Sequence, residues 1–203
     1  MIVILGVIIT LIAIAAVARS PLLQWREPVY IIAGFAGVLA MVLLLFQPLL
    51  ACGFIPVFNL PSARRLHRFV GTTLLLAVIA HVVGLWITSP PDVIDALLFV
   101  SATPFSIWGV IAMWAVFTTA CLALLRLRLR ALRSRPQIWK IGHRVLAIVI
   151  VAGSVTHALM IQGTMEVISK TLLCALVVIA TCGAVFIPIK RISTKSSPNQ
   201  RSR

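Results

Sequence analysis

Long apolar segments separated by short polar connections dominate the sequence. Six such segments run approximately over residues 1–18, 29–50, 67–88, 104–125, 143–161 and 168–189. Each is close to the roughly 20 residues that an α-helix needs to cross about 30 Å of hydrocarbon. Lipid does not tolerate unpaired backbone groups, and the segments are too long and too evenly apolar to be strands of a membrane barrel. The pattern therefore predicts an all-α fold: a six-transmembrane-helix bundle over residues 1–189, followed by a tail over residues 190–203.

The composition excludes a soluble globular domain. Hydrophobic residues make up 61% of the 203 residues, and the mean hydropathy is +1.12. A soluble fold of this size could not remove so much apolar side chain from water. The net charge of +14 is compatible with nucleic-acid binding, but basic residues in a multi-pass membrane protein usually mark the cytoplasmic face. We therefore predict contact with membrane lipid and no nucleic-acid partner.

Charged residues in the connections predict the orientation in the membrane. If the C-terminus is cytoplasmic, the cytoplasmic side carries fifteen of the eighteen Lys and Arg residues, and the outer side carries all four acidic residues. This asymmetry predicts cytoplasmic N- and C-termini, with a basic, disordered tail over residues 190–203. Arg19 and Arg26 oppose it locally, and residues 16–18 have the small-x-small form of a signal-peptidase site. Because no charged region precedes the first segment, we expect that segment to be retained as a helix.

All four histidines lie in two segments at the same spacing. His67 and His81 are fourteen residues apart in the third segment, as are His143 and His157 in the fifth. Fourteen residues at 100° each fall about 40° short of four turns, so both rings of a pair share one helix face, ~21 Å apart along the axis. Both segments run from the inside to the outside. His67 and His143 are therefore predicted near the cytoplasmic surface, and His81 and His157 near the outer one.

Two histidine pairs matched in depth favour axial ligation of two haems. Ionisable groups within lipid are costly and usually functional, and each iron would take one neutral imidazole from each helix. A single membrane histidine often only forms a hydrogen bond across a helix interface, so packing histidines remain one alternative and a non-haem metal another. A proton relay is a further alternative, but ~21 Å between rings is too far for direct proton transfer without polar residues between them.

Small and basic residues flank the histidines. One turn inward from each histidine lies a Gly or Ala, which would leave room for a porphyrin: Gly71, Ala77, Ala147 and Gly153. Three arginines near the inner pair could neutralise the carboxylates of a haem and are candidate cofactor-binding residues: Arg64, Arg68 and Arg144. Small residues also serve ordinary helix packing, and the positive-inside rule explains the arginines equally well.

The arrangement resembles the ferric reductase-like transmembrane domain family. The resemblance is carried by the six segments, the paired histidines and the run Trp139-Lys140-Ile141-Gly142-His143-Arg144 at the start of the fifth segment. The family includes NADPH oxidases, ferric-chelate reductases and bacterial MsrQ haem subunits. It implies two haem b groups, one held by His67 with His143 and the other by His81 with His157. Larger members add a cytoplasmic flavin and nicotinamide domain, which we expect this chain to lack, as the stand-alone MsrQ subunits do.

Together with this resemblance, the observations predict a b-type cytochrome membrane subunit of a bacterial inner membrane. Electrons would enter from a cytoplasmic donor, either a flavin reductase or a quinol, with FMN or FAD as a further cofactor on that side. They would leave to an outer acceptor such as a periplasmic reductase, a ferric chelate or oxygen. The protein would be a transmembrane electron-transfer component of an oxidoreductase, with no catalytic side chain of its own. The alternative class is a non-catalytic membrane assembly subunit whose histidines only pack.

Overall fold

The computed structural model describes residues 26–53, 55, 59–128 and 134–186, together with positions 8, 15 and 23. These residues form helices and connections, without a strand among them. The helices, in chain order, are α1 (Pro28–Ala51), α2 (Leu60–Thr88), α3 (Pro90–Leu97), α4 (Pro104–Arg128), α5 (Pro136–Met160) and α6 (Val167–Phe186). The predicted first segment, apart from positions 8 and 15, and the predicted tail lie outside the described residues.

Five of the described helices, α1, α2, α4, α5 and α6, are long and apolar enough to cross a membrane. They correspond to the second to sixth predicted segments, so the all-α, multi-pass membrane fold is confirmed. The predicted total of six spans also depends on residues 1–18, most of which the structure does not describe.

Two helices begin well before the apolar runs that predicted them. The side chain of Asn59 accepts a hydrogen bond from the backbone N–H of Ser62 at 3.0 Å and caps α2, whose first turn contains Pro61. Pro136 similarly stands in the first turn of α5. An N-cap and a proline fix where a helix starts, whereas hydropathy marks only the part that lies in lipid. The histidines His67 and His143 therefore lie two turns inside their helices instead of at the ends.

The short helix α3 was not predicted from the apolar pattern. Ser89 has φ −149° and ψ 70°, which ends α2, and the two prolines that follow start α3 in a new direction. Proline disfavours a helical residue before it, which explains the break at this position. Helix α3 packs against α2 and α4, and it is followed by three exposed apolar residues: Leu98, Phe99 and Val100.

The helices pack as two pairs with a gap between them. α2 packs mainly on α1, α5 packs mainly on α4, and α6 lies against both α1 and α5. The two histidine-bearing helices, α2 and α5, are not among the closely packed pairs. At mid-height the gap is filled by buried aliphatic side chains, including Leu74 and Ile150, each seven residues from both histidines of its own helix. The packing therefore leaves a cavity between α2 and α5 on one side of an apolar central layer.

Candidate functional site

The structure brings the histidines together in two pairs across the gap between α2 and α5. The ring centroids of His67 and His143 are 6.1 Å apart, with the rings inclined at 77°. His81 and His157 both line one cavity of about 510 Å³, a volume within the ~300–1,000 Å³ range of sites for organic ligands. We name His67 and His143 the inner pair, and His81 and His157 the outer pair. The two pairs lie toward opposite ends of the same two helices.

Each histidine of the outer pair is oriented by a backbone carbonyl of a neighbouring helix. His81 Nδ1 lies 2.8 Å from the carbonyl oxygen of Ala33 on α1, and His157 Nδ1 lies 2.9 Å from that of Phe105 on α4. A carbonyl oxygen can only accept a hydrogen bond, so Nδ1 carries the proton and donates it. In the neutral ring this leaves the Nε2 lone pair available as a ligand, the arrangement that orients metal-bound histidines in general.

Two glycines allow these contacts. Gly37 and Gly109 each follow the accepting residue by four positions, one helical turn further along α1 and α4. A Cβ atom at Gly37 would lie 3.0 Å from His81 Nδ1, and one at Gly109 would lie 2.7 Å from His157 Nδ1. Any larger residue would therefore push the imidazole away from its carbonyl. Neither glycine could be predicted from the histidine spacing, because each lies on a helix other than the one that carries its histidine.

The glycines that the sequence analysis singled out have another role. A Cβ atom at Gly71 would lie 3.3 Å from Gln47 Nε2, and one at Gly153 would lie 2.9 Å from the carbonyl oxygen of Trp108. Gly71 thus faces α1 and Gly153 faces α4. Both allow the close packing of a helix pair, which is the alternative reason for small residues in membrane helices.

The two histidines of the inner pair have different surroundings. His67 and Gln47 form a reciprocal pair: His67 Nδ1 lies 3.2 Å from the Gln47 carbonyl oxygen, and Gln47 Nε2 donates to the His67 carbonyl oxygen at 3.3 Å. His143 Nδ1 is buried without a hydrogen-bond partner in the described part of the chain. Instead, the Trp139 ring stacks on His143, with centroids 5.3 Å apart and planes 15° apart. The Arg126 guanidinium lies over the Trp139 ring, 4.8 Å from its centroid.

The three arginines predicted to bind a cofactor lie at the inner end of the bundle with exposed side chains. Arg64 and Arg68 are on the first turns of α2, and Arg144 directly follows His143 on α5. Of the three, Arg144 also acts on Cys52, just beyond the end of α1: burial raises the pKa of the Cys52 thiol, and Arg144 partly opposes that shift. The arginines make the inner end strongly positive, which suits both an anionic cofactor group and a cytoplasmic membrane surface.

Each histidine pair offers two nitrogen ligands. Across the described residues, no group of three or more His, Cys, Asp or Glu side chains could hold a metal ion. Non-haem metal sites usually take three or four protein ligands, whereas a haem iron needs only axial ones because the porphyrin supplies the others. With two imidazole ligands each, the histidine pairs therefore fit haem better than a bare metal ion.

Comparison with known families agrees with this geometry. The family described as ferric reductase like transmembrane component matches residues 33–154, more than half of the 203-residue chain. The match begins on α1 at the residue that orients His81 and ends on α5 just before His157. Neither the curated proteins nor the solved structures gave a match to the chain. The extent of the family match shows that this chain belongs to the ferric reductase-like transmembrane component family.

Proposed function

We propose that this protein is a b-type cytochrome that carries electrons across a membrane through two bis-histidine haems. Membership of the family supports transmembrane electron transfer, and the two histidine pairs support the haems. The single observation that carries the proposal is the orientation of the outer pair. Two backbone carbonyls on different helices hold Nδ1 of His81 and His157, which leaves both Nε2 atoms facing available space.

The spacing of the inner pair supports the same ligation. Two imidazoles bound to one metal at about 2 Å each have ring centres about 6 Å apart, and the His67 and His143 rings are 6.1 Å apart. We assign His67 and His143 to the inner haem and His81 and His157 to the outer haem. Arg64, Arg68 and Arg144 are proposed to neutralise the carboxylates of the inner haem.

When bound, haem supplies one-electron redox chemistry, and the residues of this chain set where it takes place. The imidazoles hold the two sites ~21 Å apart along each helix, and the apolar layer around Leu74 and Ile150 excludes water between them. The cytoplasmic donor is proposed to be a flavin reductase, with FMN or FAD, or a quinol. The acceptor is a partner on the other side of a bacterial inner membrane, such as a periplasmic reductase. This orientation rests on the basic inner end of the bundle.

The direct test is the haem content of the detergent-purified protein. A pyridine haemochrome assay is expected to give two haem b per chain, with low-spin spectra in both oxidation states. A haem-free protein, purified from cells supplied with haem precursors, would overturn the proposal and favour a membrane assembly subunit with packing histidines.

A methyl group at Gly109 is expected to weaken the outer site selectively. In Gly109→Ala the new Cβ atom would lie 2.7 Å from His157 Nδ1, and overpacking of this kind costs ~1–3 kcal/mol. Affinity for the outer haem should therefore fall by about tenfold, measured as haem released per chain in a competition assay with apomyoglobin. Gly142→Ala is the matched control, because a Cβ atom at Gly142 meets nothing within 4 Å. Equal haem retention in the two variants would contradict the assigned role of Gly109.

Loss of the Trp139 ring is expected to alter the inner site. His143 lacks a partner for Nδ1 among the described residues, so stacking on Trp139 is what fixes its ring plane. Aromatic pairs contribute ~0.5–1.5 kcal/mol beyond burial, so Trp139→Leu should loosen the inner haem by a few fold and shift its low-spin EPR g-values. Trp139→Phe should retain most of the signal. Trp114→Leu, which removes a ring in contact with Phe117, serves as the control, and an identical spectrum in Trp139→Leu would contradict the prediction.

A further inference from the structure

Lys170 is a buried basic residue in the wall of the outer cavity. It lies in the first turn of α6, and its side chain is 8% exposed. The cavity that it lines also contains His81 and His157. Its Nζ donates a hydrogen bond to the carbonyl oxygen of Ile161 at 2.7 Å. Ile161 is the C-cap of α5, four residues beyond His157, so Lys170 is anchored one turn from an outer ligand.

The ammonium group has more hydrogen-bonding capacity than this contact uses. A lysine ammonium has three N–H donors, and the described residues supply one acceptor and no carboxylate in ion-pair contact. Capping the last carbonyl of α5 is favourable for a cation, but it satisfies only one donor. Because burying a charge without a counter-charge is costly, the remaining donors indicate an anionic oxygen atom in the cavity.

The wall of the cavity near the start of α4 is also suited to an anion. Helix α4 begins at Pro104, and the hydroxyl groups of Ser101, Thr103 and Ser106 form a hydrogen-bonded cluster there. All three residues line the cavity, and a helix N-terminus carries a partial positive charge. The carboxylates that line the cavity, Asp92 and Asp95, are on exposed positions of α3. Neither carboxylate is in ion-pair contact with Lys170 in the structure, so they do not supply its counter-charge.

We propose that Lys170 binds a carboxylate group of the molecule in the outer cavity. The assignment of that molecule as haem rests on the proposed function, and there the carboxylate is a propionate of the outer haem. Lys170 is then the outer counterpart of the arginines at the inner end, supplied by α6 instead of α2 or α5.

The test compares haem with its dimethyl ester, which lacks the anionic carboxylates. Full-length apoprotein is reconstituted with each in detergent, for wild type, Lys170→Met and Lys170→Arg. A charge-assisted hydrogen bond corresponds to about tenfold or more in affinity. Lys170→Met is expected to weaken binding of haem to the outer site by this factor and to leave binding of the dimethyl ester unchanged. Lys170→Arg should restore most of the loss. Lys140→Met, at an exposed lysine on α5, controls for the change in net charge.

Acetate binding provides a second test of Lys170 that does not depend on haem. At constant ionic strength, acetate is expected to raise the melting temperature of wild-type apoprotein more than that of Lys170→Met. If acetate shows this difference but haem and its ester are affected equally, the site takes a free carboxylate and not one on the cofactor. If Lys170→Met loses haem and ester equally and acetate does not discriminate, Lys170 only caps α5 and the proposal is wrong. If wild type binds neither haem nor ester, the proposed function fails, and the acetate arm alone decides the role of Lys170.

Discussion

Replacing either outer histidine with alanine should leave a protein that contains only the inner haem, still reducible from the cytoplasmic side. His81 and His157 are the two imidazoles of the outer cavity, and each is held by the carbonyl of a different neighbouring helix. In the proposed ligation each histidine supplies one of the protein's two bonds to the iron of its haem, and the inner pair is ~21 Å away along the helix. The expected result for His81→Ala and for His157→Ala is a fall from two haems per chain to one.

Haem content and spectra should be measured together for these variants. Solvent that reaches a remaining haem can change its rate of reduction without any change in ligation, so rates alone do not suffice. Ser154→Ala is a suitable control, because Ser154 lines the same cavity on α5 without an assigned bond to the cofactor. Loss of both haems from His81→Ala, with a normal melting temperature, would show that the two sites are not independent.

Replacing either inner histidine should have a larger effect, because in the proposed order of transfer electrons reach the outer haem through the inner one. His67→Ala or His143→Ala is expected to abolish reduction of the outer haem by a donor confined to the cytoplasmic side. The measurement is stopped-flow reduction by reduced flavin in vesicles with a single protein orientation. The outer haem should still be present by spectrum and should still be reduced by dithionite, which shows that the outer site remains intact.

The opposite pattern would overturn the proposed direction of transfer. If outer-pair variants lost reduction of the inner haem while inner-pair variants kept reduction of the outer haem, both the assigned order and the orientation in the membrane would be wrong. The matched comparison within the inner pair is informative as well. His67 is held by a reciprocal contact with Gln47, whereas His143 is held by stacking on Trp139. Gln47→Leu should therefore perturb the spectrum through His67, and Trp139→Leu through His143.

The membrane-spanning helices were predicted well, because the apolar length that a span needs is a property of one continuous segment of the chain. Apolar length alone identified the five spans that the structure describes, and among the described helices the pattern missed the short α3. The predicted starts of α2 and α5 lie several residues after the observed ones, because hydropathy does not detect the capping residue Asn59 or the helix-starting Pro136. The pairing of the histidines by depth also followed from the sequence, since equal spacing on two parallel helices fixes both heights.

Tertiary structure decided what surrounds each histidine. That His81 and His157 bond to carbonyls of α1 and α4, above Gly37 and Gly109, depends on which helices pack together, and no spacing within α2 or α5 specifies it. The same is true of Lys170, which lies at the start of the sixth predicted segment and which only the packing of the helices places in the wall of the outer cavity. The membrane helices and the matched histidines could be predicted without the structure, because apolar length and residue spacing are properties of a single helix. The orientation of the rings, the shape of the cavity and its buried charge depend on contacts between residues far apart in the chain, and only the packed bundle brings those residues together.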